Sequence, residues 1–342
     1  MTVRPYLRAF GALLWLCAFG SWLQAGVLQA PAGARGLRAE ETPGETCIVD
    51  RDGGRLSCWP RVQGSITDLR ETSRGWIAAG HSLGIAERRL FVVRDLGQGL
   101  EWLAAPAAEG VVRGRPELVA DDTRLLGLVW LEGPVQEELE IRAAEWLGGD
   151  WGPAMTVSPR GDGAQLAPAA TVLEGGAWLV LWTAVDGHDD ELMWSLFGRG
   201  AWSTPVRVHE DNAMPDVMPT VVTSPQGAIA AWSWLDGRDY RVRTAFFDGR
   251  AWRLDEPYAG RGGLEPHLAN VSGVFLLSFM TVEPGQWVAC ELDASGRLLH
   301  RAVVARQSGQ RPVIDFIGNG VSFSWQGTET AREILATWDS ER

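Results

Sequence analysis

The chain has 342 residues, of which 46% are hydrophobic and 22% are charged. A chain of this length and hydrophobicity is not disordered, and it can bury one large core or two modest ones. Its 43 acidic residues outnumber its 31 basic residues, all of which are Arg. The resulting net charge of −12 argues against a nucleic-acid partner, because phosphate binding relies on an excess of Lys and Arg.

The N-terminus has the pattern of a secretory signal peptide. Arg4 and Arg8 precede an apolar run from Ala9 to Leu23, and small residues follow up to Ala34. The run is shorter than the roughly 20 residues that cross a bilayer, so we expect cleavage after Ala34 and no membrane span in the mature chain. An uncleaved membrane anchor is the alternative. We therefore expect a secreted or periplasmic protein.

Three cysteines follow this segment. Cys47 and Cys58 flank Asp52-Gly53, a dipeptide typical of a two-residue type I′ hairpin turn, and that register places the two cysteines opposite each other. Because an exported protein meets an oxidising environment, we expect a Cys47–Cys58 disulfide, with two free buried thiols as the alternative. Cys290 is expected to be a buried free thiol.

The rest of the chain contains a repeat of about 50 residues. A proline precedes a short strand-like segment in each of five units, at 116, 168, 219, 266 and 312. An aromatic residue ends an apolar run 13 or 14 positions later, at Trp130, Trp182, Trp232, Phe279 and Trp325. The prediction is that these aromatics are core residues, wedged between neighbouring repeats.

The repeat predicts an all-β protein with the architecture of a β-propeller. The segment from about Ser65 to Gly110 fits as a degenerate first unit, which gives six units of four antiparallel strands. The last unit is short, and the hairpin at 46–62 lacks first and second strands of its own. We therefore expect six blades, the last one completed by the N-terminal strands. The predicted organisation is a signal peptide at 1–34, a linker at 35–45 and a single domain at 46–342.

Two of the repeats resemble those of secreted bacterial sialidase-type (BNR-repeat-like) propellers. The resemblance rests on Trp232-Ser233, Asp236-Gly237, Asp239-Tyr240 and Phe247-Asp248-Gly249-Arg250-Ala251-Trp252, and the pattern recurs from Trp182 to Val208. It extends over about residues 65–338 and implies the propeller fold. The Asp-box of that family lies between the third and fourth strands, where 248–252 is one residue too short, and no unit matches the box in full.

The sialidase catalytic set is not recognisable. The resemblance implies three arginines that bind a carboxylate, a Tyr nucleophile with a Glu partner, and an acid/base Asp. Only Tyr240 and Tyr258 follow the signal peptide, and the context of Arg70 does not match the motif of the first arginine. We therefore expect a protein without this activity.

Charged loops are the candidate ligand site. The predicted loops between second and third strands, and between units, gather on one face of a propeller. The candidate residues there are Asp186, His188, Asp189, Asp190, His209, Asp211, Asp236, Arg238 and Asp239. These carboxylates could cap turns, bind a glycan, bind Ca²⁺ through Asp186, Asp189 and Asp190, or act as an acid and base pair. We expect no other cofactor.

Arginines next to the repeat prolines form a second candidate site. Arg115 and Arg311 immediately precede Pro116 and Pro312, so they could point toward the axis from different units and hold an anion. Pairing with neighbouring acids is the alternative.

Three functions are compatible with these patterns. The first is a non-catalytic recognition module for a glycan or a protein, which we expect to be a monomer. The second is a sialidase-like or glycosidase-like hydrolase. The third is a structural or interaction protein of the cell envelope.

Overall fold

The fold was determined from a computed structural model. It describes residues 28–29, 37–50, 53–60, 64–82, 89–106, 112–135, 138–158, 163–185, 189–210, 214–256, 262–271, 273–282, 285–305, 313–317, 320–325 and 332–337. All the regular elements within these ranges are β-strands. None of the described residues belongs to a helix long and apolar enough to cross a membrane.

The strands of the described residues form seven antiparallel sheets, numbered here in chain order. Consecutive strands pair in each sheet, except that the last strand of sheet 4 pairs with the third strand of that sheet. Sheet 1 contains β1 (Leu28–Gln29), β2 (Arg38–Glu41), β3 (Glu45–Val49) and β4 (Arg55–Pro60). Sheet 2 contains β5 (Ser65–Thr72), β6 (Gly75–His81), β7 (Leu90–Asp95) and β8 (Leu100–Leu103). Sheet 3 contains β9 (Val112–Ala120), β10 (Leu125–Gly133), β11 (Glu140–Glu145) and β12 (Met155–Thr156). Sheets 4 and 5 contain β13 (Gln165–Val172), β14 (Trp178–Val185), β15 (Asp190–Gly198), β16 (Ala201–Trp202) and β17 (Val206–Arg207); and β18 (Asp216–Ser224), β19 (Gly227–Leu235), β20 (Tyr240–Phe247) and β21 (Trp252–Asp255). Sheets 6 and 7 contain β22 (Leu264–Val271), β23 (Val274–Met280), β24 (Gln286–Leu292) and β25 (Leu298–Ala305); and β26 (Val313–Ile317), β27 (Gly320–Trp325) and β28 (Arg332–Thr337).

The six predicted repeat units correspond to sheets 2 to 7. In sheets 3 to 6 the repeat proline lies within the first strand, and the repeat aromatic lies within the second. The sequence repeat therefore marks the sheets themselves, because each sheet is one supersecondary unit that repeats along the chain.

The N-terminal strands differ from the prediction, and they raise the number of sheets from six to seven. The hairpin β3–β4 does not join β26–β28; β3 pairs instead with β2, with Glu40 opposite Cys47. The segment 35–45, expected to be a linker, thus contains a strand, and β1 lies within the expected signal peptide. The four residues of β2 are too few and too charged to show the alternating pattern of a strand. The sequence therefore does not predict β2, and the structure shows it only through its pairing with β3.

The disulfide is confirmed. Cys47 and Cys58 are cross-strand partners in β3 and β4 and are joined by a disulfide, whereas Cys290 is free and buried. The turn is longer than the predicted two residues, since the loop runs from 50 to 54 and residues 51–52 lie outside the described part. The side chain of Asp50 closes this wider loop by accepting the Gly54 N–H at 2.7 Å.

The core consists of layers between consecutive sheets. Six apolar clusters are present among the described residues, and each joins one sheet to the next, from sheets 1 and 2 to sheets 6 and 7. The repeat aromatics Trp130, Trp182, Trp232 and Phe279 are almost fully buried in these layers, as predicted. The side chain of Trp325 lies outside the described part.

The first strands of the sheets lie next to one another. β5 contacts β9, β9 contacts β13, β13 contacts β18, and β18 contacts β22. These first strands, through which consecutive sheets contact each other, are called the inner strands below.

Candidate functional site

A β-bulge recurs in the inner strands of sheets 3 to 6, at the repeat proline. In sheet 3, Glu117 pairs with Val129 and Gly114 pairs with Leu131, so that the two residues 115 and 116 oppose the single residue Trp130. The same irregularity places 167–168 opposite Trp182, 218–219 opposite Trp232, and 265–266 opposite Phe279. The proline and the aromatic of each repeat thus form one local unit.

The residue before each of these prolines has a left-handed backbone conformation. The four φ angles are +46° for Arg115, +47° for Ala167, +57° for Met218 and +53° for Glu265. This region is unfavourable for residues with a Cβ, and bulges next to functional sites re-aim side chains. The same strained conformation recurs in four sheets, which indicates that the inner strands share a need for this backbone geometry before the proline.

Two of these four positions carry opposite charges. Arg115 belongs to sheet 3 and Glu265 to sheet 6, yet Glu265 is near enough for its charge to act on the pKa of Arg115. Desolvation lowers the pKa of Arg115, whereas the carboxyl groups of Glu117 and Glu265 act to raise it. Sheets 4 and 5 separate these two sheets along the chain, so the interaction shows that the inner strands converge.

Further charged side chains act on Glu117, two positions after Arg115. The Nε of Arg70 in sheet 2 is 3.1 Å and 3.2 Å from the two carboxylate oxygens of Asp68. Desolvation, followed by the charge of Asp68, raises the pKa of Glu117 well above its usual value, although Arg70 and Arg115 act against the rise. Asp68, Arg70, Arg115, Glu117 and Glu265 are called the axial cluster below.

Side chains of inner strands also bind the backbone of the next sheet. Asp68 accepts the N–H of Leu118 at 2.8 Å, and Thr220 accepts the N–H of Leu268 at 3.3 Å. Asp68 is therefore held by Arg70 and by the following sheet at once. This arrangement orients the axial cluster, because each bond fixes one inner strand against its neighbour.

The predicted loop site is described only in part. Asp186, His188, Asp211 and Arg311 lie outside the described residues, so their predicted roles stay predictions. Arg115 lies in the axial cluster. Asp189 and Asp190 are half-buried before and at the start of β15, and the charge of Asp190 contributes to raising the pKa of Tyr240 to about 12, after the larger effect of burial.

Asp236 caps its own turn. Its Oδ1 accepts the N–H groups of Arg238 at 3.2 Å and Asp239 at 3.1 Å, and its Oδ2 lies 2.6 Å from the Nε of Arg241. The backbone hydrogen bond from Asp239, the largest cause, lowers the pKa of Asp236. The Asp-Gly sequence here thus acts through turn chemistry, and Arg238 contributes a backbone donor to it.

His209 lies between sheets 4 and 5 and contacts a residue outside the predicted set. Its Nε2 is 3.1 Å from Oδ2 of the fully buried Asp216, whose Oδ1 accepts the Nε1–H of Trp232 at 2.6 Å. The imidazole stacks on Trp232 with ring centroids 5.9 Å apart. Sequence spacing could not reveal this contact, because Trp232 is 23 positions beyond His209 and the sheet pairing brings them together.

The surroundings of His209 favour the cationic form. Its Nδ1 is 2.7 Å from the carbonyl oxygen of Glu210, which can only accept, and Nε2 faces a carboxylate. The hydrogen bond to Asp216 raises the pKa of His209, whereas partial burial lowers it. Both ring nitrogens thus face oxygen atoms of residues that hold His209 in place, one from Glu210 and one from Asp216. The pair therefore acts as a link between sheets.

One group of three metal-binding side chains is present among the residues that the structure describes: Glu45, Cys47 and Cys58. The two sulfur atoms are already joined in the disulfide. The Ca²⁺ site proposed for Asp186, Asp189 and Asp190 stays a prediction, because Asp186 lies outside the described part.

No protein-family model matches this chain, and no curated protein matches it. Solved structures do match at low identity. A polysaccharide lyase of family PL25, an ulvan lyase bound to -[GlcA(1-4)Rha3S]-, is 10% identical with a TM-score of 0.58, covering 92% of this chain and 94% of the lyase. A protein of unknown function from Dyadobacter fermentans is 14% identical with a TM-score of 0.55, covering 81% of this chain and 96% of that protein.

A prolyl endopeptidase is 11% identical with a TM-score of 0.56. The match covers 98% of this chain but 54% of the peptidase, so this chain spans about half of that protein. These neighbours are β-propeller-like proteins, and at such identities the likeness concerns the fold alone. They do not confirm the sialidase-type resemblance. The chain has an all-β, propeller-like fold built from several four-stranded antiparallel sheets.

Proposed function

We propose that this protein is an exported, non-catalytic propeller that binds a glycan at the axial cluster. The observation that carries the proposal is the left-handed bulge repeated in four inner strands, in which Arg115 and Glu265 hold equivalent positions of different sheets and the charge of Glu265 acts on Arg115. A strained backbone conformation costs free energy, and such conformations cluster at functional sites. Some of the propeller-like neighbours are polysaccharide lyases, which is compatible with carbohydrate recognition.

The chemistry of the axial cluster suits hydroxyl groups. It offers guanidinium donors from Arg70 and Arg115 and carboxyl groups from Asp68, Glu117 and Glu265. A sugar hydroxyl both donates and accepts, so it can use such a mixed set. A strongly anionic ligand suits the cluster less well, because the carboxyl groups already balance the two guanidinium groups.

Export is part of the proposal. The Cys47–Cys58 disulfide is compatible with a compartment outside the cytoplasm, since disulfides persist in oxidising environments. The signal-peptide pattern at 1–34 supports the same location. Sizing of the protein produced with its own N-terminus, followed by N-terminal sequencing, tests this step. A mature chain that begins near residue 35 is expected, in which sheet 1 retains β2, β3 and β4 without β1.

We also propose that the seven sheets close into a ring, with sheet 1 next to sheet 7. In β3, Ile48 packs toward sheet 2, and Val49 points to the other face because side chains alternate along a strand. Both residues are fully buried, so something covers both faces of sheet 1. If sheet 7 does so, loosening it with Phe323→Ala should speed hydrogen exchange in β3 while leaving β10 protected. Unchanged exchange in β3 would contradict closure.

Affinity electrophoresis tests the ligand. Gels that contain a neutral polysaccharide should retard the wild type, and Arg115→Ala should abolish the retardation while the control Arg124→Ala, at an exposed turn, preserves it. Gels with a uronic-acid polysaccharide distinguish an anionic ligand from a neutral one. Equal retardation of Arg115→Ala and the wild type would refute the axial site, and cleavage of chromogenic glycosides would replace the proposal with a hydrolase.

A further inference from the structure

The disulfide is the starting point for an inference that does not depend on the proposed ligand. Its two cysteines differ in exposure: Cys47 in β3 is 2% exposed, whereas Cys58 lies on the outermost strand of sheet 1 and is exposed. A thiolate attacks a disulfide in line with the sulfur–sulfur bond, and access decides which sulfur is attacked. The accessible sulfur here is that of Cys58.

A cation stands beside the buried sulfur. The Nη2 of Arg55 is 2.7 Å from Sγ of Cys47, and the same nitrogen forms an ion pair with Glu45. A neighbouring guanidinium stabilises a thiolate and so lowers the pKa of the thiol that leaves, and a leaving thiol of lower pKa leaves faster. The arrangement therefore favours attack at the sulfur of Cys58 and departure of the sulfur of Cys47.

We propose that Cys47–Cys58 is a thiol-exchange site at which Cys58 is the position of covalent modification by an external thiol. The incoming thiolate forms a new sulfur–sulfur bond to Sγ of Cys58. The bond between Cys58 and Cys47 breaks, and its electron pair departs with Cys47 as a thiolate beside Arg55. The co-reactant is a low-molecular-weight thiol or the dithiol of a reductase, whose second thiol would then release Cys58.

Glu45 opposes the effect of Arg55 on the disulfide. Because its carboxylate shares the guanidinium of Arg55, it competes with the developing Cys47 thiolate for the same positive charge. Removal of the acid and removal of the cation should therefore change the exchange rate in opposite directions.

The experiment measures the exchange rate of the intact protein with 2-mercaptoethanol, followed by alkylation and peptide mapping. Digestion after Arg yields one peptide of residues 39–51 with Cys47 and another of residues 56–61 with Cys58. The first adduct is expected on Cys58, with the alkylated free thiol on Cys47. Repeating the reaction with a dithiol should give the fully reduced pair without a lasting adduct.

Two variants and a control complete the test. Arg55→Gln should slow the exchange by about threefold or more, and Glu45→Gln should accelerate it by a similar factor. Arg94→Gln is the matched control, because it breaks a comparable ion pair with Glu101 on sheet 2 and should leave the rate unchanged. A first adduct on Cys47, or an unchanged rate in either Arg55→Gln or Glu45→Gln, would overturn the proposal.

Discussion

Pro116 lies opposite Trp130 across the first two strands of sheet 3, within a bulge that gives Arg115 a left-handed conformation. The same pairing of proline and aromatic recurs in the next three sheets. The ring of Trp130 is buried against sheet 2, on the side of the preceding repeat. The bulge therefore couples two features: the packing of the aromatic between sheets and the backbone conformation of the residue before the proline.

Relief of the backbone strain gives the first prediction. Ala167→Gly should raise the free energy of unfolding by about 0.5–1 kcal/mol, because a left-handed conformation costs residues with a Cβ about 1–2 kcal/mol and glycine adds an entropic cost of about 0.5–1 kcal/mol. The control is Ala201→Gly in the exposed strand β16, which should lower the free energy of unfolding by about 0.5–1 kcal/mol. Denaturant titration measures both. A loss of stability in Ala167→Gly would contradict the strain.

The second prediction concerns the acid in the axial cluster. The pKa of Glu117 is raised in the folded state, so folding is penalised once the pH exceeds its unfolded pKa of about 4.3, and the penalty grows until the pH passes the folded pKa. Glu117→Gln should therefore raise the melting temperature at pH 8 more than at pH 4.5. Glu174→Gln, at an exposed turn, is the matched control. A gain that is independent of pH would refute the raised pKa.

The third prediction is the pH dependence of the link between sheets 4 and 5. Because Asp216 raises the pKa of His209, the stabilisation by this pair is complete below the unfolded pKa of about 6.5 and is lost as the pH rises through the folded pKa. The difference in melting temperature between the wild type and His209→Gln should therefore shrink from pH 6 to pH 9. The exposed His300 supplies the control variant, His300→Gln. A difference in melting temperature that grows with pH would contradict the raised pKa of His209.

The fourth prediction is the contribution of the disulfide to stability. Cys58→Ser should lower the free energy of unfolding by about 2–4 kcal/mol, because the crosslink closes a short loop and restricts the unfolded chain. Ser57→Ala on the same strand is the matched control and should cost far less. Thiol counting on the denatured, exported protein, from which the segment with Cys17 has been removed, should find one free thiol, that of Cys290. Equal stability of Cys58→Ser and the wild type would contradict this role.

Several features of the molecule follow from the sequence alone. The spacing of Pro116, Trp130 and their equivalents predicted the sheets one by one, because a repeat that cannot bury its own faces must keep the same apolar pattern in every copy. The cross-strand position of Cys47 and Cys58 followed from local pairing, which depends on residues close together in the chain. Burial of the repeat aromatics followed from the same local periodicity.

Other features depended on residues far apart in the chain. No local pattern marks β2 as a strand, and its place follows only from its pairing with β3. The N-terminal strands therefore form a sheet of their own, so the described residues contain seven sheets where six were predicted. The contact of His209 with Asp216 and Trp232, and the interaction of Arg115 with Glu265, join segments that pairing and convergence bring together. Sequence alone thus determined the repeating unit, since strand pairing within a unit is local. Tertiary structure decided which charged side chains meet, because that depends on how the inner strands of different sheets pack side by side.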